Sequence, residues 1–288
     1  MGKHAYLIIA HDDWKLLSKL IESIDDRRNE IFIHIDKKSK DFNINKIYNP
    51  KNAKCTYIKR QNISWGGYSQ ISVEMRLILV AMQKEKFDYL HLLSGHDLPL
   101  KSQNEIHDWF DRQHQRSFIA LDKIPQHQSA IKDRCSMYYF FQEYAGRGRK
   151  LYQKCIRKFD YFLCLIQKIF KIDRIKNYKK IYKGHNWFSI TGEMAEEVLR
   201  HSREIKKHFK FTFCADEVFL QTIAYNSKLN EKIVDNSLRE IDWNRGNPYI
   251  YKIDDIDMLL ASEYLFARKF CSDVDNNVIN VIFNKIKE

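Results

Sequence analysis

Short apolar runs alternate with helical segments through the first 120 or so residues, and this rhythm constrains the fold more than any other feature. Ala5–Ala10, Ile31–Ile35, Cys55–Ile58, Phe87–Leu93 and Ser117–Leu121 read as strands. Between them, Trp14–Ile24 places Leu16, Leu17, Leu20, Ile21 and Ile24 on one helical face. A second helix runs to about Gln83, with Ser69 as its expected N-cap after the turn Ser64-Trp65-Gly66-Gly67. Gln103–Arg112 forms a third. Strand–helix–strand alternation of this kind builds a mainly parallel central sheet flanked by helices, so the expected class is α/β. Beyond about residue 125 the rhythm breaks. Residues 130–183 read as irregular structure followed by long basic-aromatic helices. Trp187–Ile190 then resumes the strand pattern, with helices at 193–203 and 215–226 and a last one at Leu259–Phe270.

The chain has 288 residues and is 14% aromatic, enough for one large domain with a substantial core. No linker composition divides it, so a single domain over 1–288 is expected. Six cysteines at 55, 135, 155, 164, 214 and 271 form no CxxC pair, which fits reduced thiols in a cytoplasmic protein. The short apolar run before His11 does not read as a signal peptide, and no stretch reaches the roughly 18–20 apolar residues of a membrane span. The net charge of +12 is concentrated: residues 147–183 carry 13 Lys/Arg against Asp160 and Asp173, leaving about +1 for the rest. Within that segment Tyr152, Ile156, Phe159, Leu163, Ile166 and Phe170 recur at helical spacing. Residues 151–172 therefore suit an anionic membrane surface, an ordinary amphipathic helix with a solvated basic face, or an anionic glycan. A nucleic-acid partner is not expected, because no RNP-like, zinc-finger or helix-turn-helix signature accompanies the charge.

In α/β folds ligands gather at the C-terminal ends of the strands, so polar residues there are the candidates for chemistry. Tyr89–Leu100 (YLHLLSGHDLPL) delivers His96 and Asp97 between Gly95 and Pro99, which hold the pair in a defined loop and point to ligand contact. Asp36 ends another strand and either accepts from a ribose or base, or closes a turn with Lys37 or Lys38. His11, Asp12 and Asp13 follow the first strand and either meet a ligand or cap the next helix. His34 and His91 lie inside strands and read as core imidazoles. Asp216 and Glu217 open a late helix, as dipole-favoured first-turn acids or with one of them as a general base. Arg239, Arg245, Arg268 and Lys269 supply cations where negative charge would develop. There is no G-x-G-x-x-G, P-loop or HExxH motif, and Asp255–Asp257 and Asp273–Asp275 read as caps or surface acids, so no metal or cofactor is expected.

The ordered blocks AYLIIAH, IFIHIDKKS, SWGGYSQ, YLHLLSGHDLPL, KGHNWFSIT, CADEVFLQT, DWNRGNPY and LFARKF resemble the core-2/I-branching β-1,6-N-acetylglucosaminyltransferase and protein xylosyltransferase family. They cover most of the chain. The resemblance implies a glycosyltransferase A-type fold, a UDP-sugar donor carrying GlcNAc or xylose, and inversion without an essential metal. Residues 1–125 would form the nucleotide-sugar half and 126–288 the acceptor half. By the same resemblance Glu217 falls where the general base stands, and Lys269 with Arg245 or Arg268 falls among the cations on the diphosphate. His11 and Asp36 fall on the nucleotide side; His96, Asp97, Trp187 and Asp216 fall near sugar and acceptor. The acceptor would be a glycan or lipid-linked saccharide, and the protein cytoplasmic, at most peripheral on the inner membrane face. Against this stand a glycan hydrolase using a carboxylate pair and a basic polysaccharide- or nucleic-acid-binding module.

Overall fold

The computed structural model describes residues 2–148, 150–176 and 180–287; Arg149 and residues 177–179 of the basic segment lie outside the described residues. The chain begins β1 (His4–Ala10), α1 (Trp14–Ser23), β2 (Asn29–Ile35), β3 (Lys54–Tyr57), α2 (Tyr68–Lys84), β4 (Tyr89–Ser94). It continues β5 (Leu98–Pro99), α3 (Gln103–Asp111), β6 (Ser117–Leu121), α4 (Pro125–Ser136), α5 (Gln142–Ala145), α6 (Leu151–Ile169). The remainder is β7 (Gly184–Thr191), α7 (Gly192–Arg200), α8 (Ser202–Phe209), α9 (Phe219–Tyr225), β8 (Ile233–Val234), β9 (Arg239–Ile241), α10 (Ile256–Ala261), β10 (Phe266–Arg268) and α11 (Asn276–Lys287).

A seven-stranded sheet in the order β3-β2-β1-β4-β7-β6-β8 forms the centre. Strands β3, β2, β1 and β4 run parallel, β7 runs against both β4 and β6, and β8 is parallel to β6. This is the mainly parallel α/β architecture expected. Side chains alternate between two cores. Tyr6, Ile8, Ile31 and Ile33 pack with α1, α3 and α11, whereas Ala5, Leu7 and Phe32 pack with α2, α7 and α9. Burying each such Leu or Ile is worth about 1.5–3 kcal/mol, so a one-residue slip of β1 or β2 would be costly on both faces. The two strand histidines are core imidazoles: His91 bonds Ser189 Oγ at 2.9 Å and His4 Nδ1 at 3.1 Å, and His34 Nε2 accepts from Gln61 N–H at 3.0 Å.

Several elements differ from the sequence reading. Leu259–Phe270 is not one helix. It breaks after Ala261, and Phe266–Arg268 becomes β10, paired with β9 and with β5 in a small second sheet. Those partners lie far off in sequence, so tertiary pairing overrides the local apolar periodicity. Helix α2 is capped by Gly67 rather than Ser69, whose Oγ instead accepts from Ser64 N–H at 2.8 Å. The segment at 130–136 belongs to α4 rather than to irregular structure, the helix expected at 193–203 divides into α7 and α8, and α11 was not anticipated. The helix expected over 215–226 opens as a 3-10 turn at Ala215–Glu217 and bends at Val218 before α9.

Helix α6 is inverted in polarity. Its buried residues are Asp160, Cys164 and Gln167. Asp160 accepts from Phe140 and Phe141 N–H at 3.1 Å each, and Gln167 bonds both backbone groups of Tyr138. Leu151, Tyr161, Phe162, Leu165 and Ile169 face solvent. Exposed Lys154, Lys158 and Lys168 lie among these residues, so the helix presents apolar surface together with its basic groups.

Candidate active site

The C-terminal ends of β1, β2 and β4 lie side by side, and the loop after β10 closes over them. Phe270 N–H donates to His96 O at 3.0 Å, and Ser272 N–H donates to Asp13 at 2.7 Å, tying the last loop to the first. Asp13, in the left-handed region at φ 48°, also accepts from Leu16 N–H and is the cap of α1.

Asp97 is fully buried and its carboxylate is committed. It accepts from Ser94 N–H at 2.8 Å and Ser94 Oγ at 2.7 Å, and Arg268 Nη1 lies 3.2 Å away. His96 is equally engaged, with Nδ1 on Phe270 O at 2.9 Å and Nε2 on Asp12 Oδ1 at 2.7 Å. The direct ligand contact expected of His96 and Asp97 is thus replaced by loop-tying, because both side chains spend their polar atoms inside the protein. Their effect is exerted through Asp12 and Arg268. The hydrogen bond from His96 outweighs partial burial and holds the Asp12 carboxyl below its usual range.

Arg268 stacks on the ring of Trp187 at 4.0 Å, and burial lowers its pKa against the opposing pull of Asp97. Lys269 follows it, close enough to influence His11 and Asp12 electrostatically, and makes no ion pair among the described residues. Its backbone is clamped on both sides by Tyr249 O and Tyr251 N–H. His11 is largely exposed at this edge, its pKa lowered chiefly by desolvation. Ligand atoms of His11, Asp12 and His96 lie within 4.8 Å of one another. A divalent ion there would contend with the neighbouring Lys269 and with the His96–Asp12 pair. Asp36 closes a turn, accepting from Lys38 N–H at 2.9 Å, with the Lys38 ammonium 3.8 Å from its other oxygen.

Arg245 does not join this group. Its guanidinium is held by Asp242 at 2.5 Å and Asp255 at 2.7 Å and lies over the Tyr249 ring. Its acids leave it supporting the loop rather than free for a diphosphate. Arg239, too, is structural: 3% exposed, it donates to Leu92 O, Phe188 O and Ser189 Oγ, and burial pulls its pKa down to about 9.

Glu217 ends the 3-10 turn before α9 and is partly exposed, at 38% of its side chain. Arg134 Nη1 lies 3.5 Å and Lys183 Nζ 3.9 Å from its Oε2. Lys183 in turn meets Asp122 at 2.5 Å, which His127 also bonds at 2.6 Å. Burial pushes Asp122 up, but hydrogen bonds from Lys183, Ile124 N–H and His127 outweigh it and hold the group at about 2. Helix α9, which follows this turn, is stitched to β7 and to the chain just before it, since Gln221 Nε2 donates to His185 O at 2.6 Å and Tyr182 N–H donates to Thr222 Oγ1 at 3.1 Å. Lys183, beside Glu217, and Trp187, beneath Arg268, are four residues apart in extended chain, a separation of roughly 13 Å. The Glu217 carboxylate and the Arg268 guanidinium therefore lie along the first half of β7, one beside Lys183 and the other on Trp187.

Asp216, expected near an acceptor, instead turns toward α2 and is buried, accepting from Gln70 Nε2 at 3.1 Å. Arg134, Lys183, Asp122 and the buried Glu74 were not anticipated. Only the KGHNWFSIT block offered a signal, for Lys183.

A family model described as Core-2/I-Branching enzyme matches residues 4–259. The chain is 21% identical over 306 residues to xylosyltransferase 2 of Pan troglodytes, covering 96% of this chain and 33% of that protein. It is 22% identical over 307 residues to a xylosyltransferase of Ciona intestinalis, with the same coverage of 96% and 33%. The chain thus spans about a third of the length of the curated relatives it matches. Among solved structures, apo mouse xyloside xylosyltransferase 1 superposes with a TM-score of 0.37 at 9% identity, covering 93% of this chain and 98% of that one.

Proposed function

Because the chain belongs to the Core-2/I-Branching enzyme family, we propose that it is a glycosyltransferase that moves a sugar from a UDP-sugar to a glycan hydroxyl. The donor sugar is GlcNAc or xylose, and the reaction inverts the anomeric centre without an essential metal. The observation that carries this reading is the arrangement along the first half of β7: Glu217 partly exposed beside Lys183, and Arg268 on Trp187 followed by Lys269, which makes no ion pair among the described residues.

Glu217 takes the proton from the acceptor hydroxyl as its oxygen attacks the anomeric carbon, and UDP leaves from the opposite face. Arg134 and Lys183 hold the carboxylate in place without a short hydrogen bond that would block it. Lys269 and Arg268 neutralise the departing diphosphate, electrostatic work that a metal does elsewhere. Hydrolysis by a carboxylate pair is less well supported. A glycosidase needs a second carboxyl facing its partner across the sugar, and Asp216 faces α2 instead.

The fitting test is transfer from UDP-GlcNAc and UDP-xylose in EDTA, with the product anomer read by NMR, after a thermal-shift screen against GDP- and CMP-sugars. A β-linked product formed from the α-linked donor in EDTA is expected. Retention of configuration, or strict Mn²⁺ dependence, is the opposing result.

The enzyme is further proposed to work peripherally on the cytoplasmic face of a membrane, on a glycan or lipid-linked acceptor. Support comes from the outward apolar residues of α6, among them Leu151 and Ile169 at 77% exposure, interspersed with exposed Lys154, Lys158 and Lys168. No helix among the described residues is long and apolar enough to cross a membrane. Binding to phosphatidylglycerol vesicles that falls at least tenfold in Phe162→Glu/Ile169→Glu is expected; equal sedimentation of both proteins contradicts it.

A further inference from the structure

Glu74 lies in the middle of α2, 1% exposed, and among the described residues neither carboxyl oxygen is in a well-formed hydrogen bond and no cation pairs with it. A carboxylate in that position would be prohibitively costly, so the group is a neutral carboxylic acid with a proton to donate. Gln70, one helical turn earlier on the same face, already donates to Asp216 Oδ2 at 3.1 Å. The other Asp216 oxygen, Oδ1, is buried without a partner, and Glu74 is near enough for the two carboxyls to interact electrostatically. Asn186 of β7 borders the same space; its side chain bonds the Glu74 carboxyl weakly, opposing without overcoming the effect of burial, and its Oδ1 has no partner among the described residues.

We propose that Glu74 is a positioning residue for the Glu217 turn, its carboxylic acid donating a hydrogen bond to the free oxygen of Asp216. This rests on Glu217 being the general base. Gln70 and Glu74 then grip both Asp216 oxygens from one helix face, and the turn is fixed in the orientation that leaves Glu217 toward the cleft. The charged and titratable groups facing Asp216 are Glu217 and the Cys214 thiol on its own turn, Arg134 from α4, and Glu74 from α2. Burial, followed by the charge of Glu217, pushes Asp216 up to about 7. An ionised Asp216 beside Glu217 favours proton uptake by that base. Transfer therefore rises with pH through about 7, and a donor from Glu74 stabilises the ionised form.

The test is the pH dependence of kcat/KM for sugar transfer in Glu74→Leu and Glu74→Gln, with folding checked by circular dichroism. Leucine removes the donor, and losing a hydrogen bond to a charged group moves the rising limb up by about one to two pH units. That is a loss of roughly five- to fifty-fold at pH 7. Glutamine keeps a donor and leaves the limb in place. A limb that stays put in Glu74→Leu while the rate falls equally at every pH makes Glu74 merely structural and overturns the proposal. A limb that moves equally in both variants does the same. An infrared carboxylic-acid band that persists at pH 8 and disappears in Glu74→Gln reads the proton without any turnover; its absence from the wild type is equally fatal. Because that band does not depend on transfer, an active Glu217→Gln would sink the general-base reading while the Glu74–Asp216 hydrogen bond stood.

Discussion

Asp97→Asn perturbs the cation side of the cleft at its root. Asp97 is 0% exposed and Arg268 12%, 3.2 Å apart, and Asp97 also holds both polar groups of Ser94. Asparagine fits the space but sets an uncharged, partly donor-bearing group against a guanidinium and an amide N–H. Breaking a buried pair by neutralising one partner costs about 3–5 kcal/mol. Arg268 keeps a solvent-facing edge and its stack on Trp187, which places the expected loss near the lower end, about 3 kcal/mol. In a protein of this size that lowers Tm by roughly 6 °C. Urea unfolding followed by far-UV circular dichroism measures the stability change, and titration with UDP measures its effect on the cleft. In the Asp97→Asn/Arg268→Met double variant the orphaned charge is gone, so the combined loss should fall short of the sum by at least about 1.5 kcal/mol. Additive single effects, or an Asp97→Asn protein within about 0.5 kcal/mol of wild type, would refute the tether.

Gly66 sits at φ +71°, and a Cβ there would come within 3.0 Å of Cys214 Sγ and the Phe213 ring, so Gly66→Ala should cost about 1–3 kcal/mol and slow transfer more than it weakens UDP binding. Unchanged urea stability in Gly66→Ala would show that the turn is loosely packed. Asp122 is held at about 2, below its unfolded value, so its contribution of about 2 kcal/mol is fully present above about pH 4 and is lost as pH falls toward 2. The acid limb of stability against pH should accordingly flatten in Asp122→Asn; superimposable limbs are the contrary result.

The sheet was legible because Ala5–Ala10, Ile31–Ile35 and Phe87–Leu93 are apolar on both faces, as strands covered by helices on both sides must be. Phe266–Arg268 was not, because a three-residue strand beside an apolar helical period carries no local mark of partners at Leu98–Pro99 and Arg239–Ile241. The cations of LFARKF could be placed near the strand ends from sequence order. What each strand-end group touches could not. His96 and Asp97 look free in YLHLLSGHDLPL, yet their polar atoms are taken by Asp12, Phe270, Ser94 and Arg268. Glu74 was hidden for the opposite reason, since a glutamate in mid-helix ordinarily faces water. Helix α6 misled because its apolar residues circle much of the helix, and only the capping of Phe140 and Phe141 by Asp160 fixes which side turns inward.

The role of Glu217 is tested most directly by measuring transfer and UDP affinity on one preparation of Glu217→Gln. Loss of general-base catalysis should slow turnover by roughly 10²–10⁴-fold while UDP binds as tightly as to the wild type. Turnover close to wild type in that protein would contradict the mechanism outright.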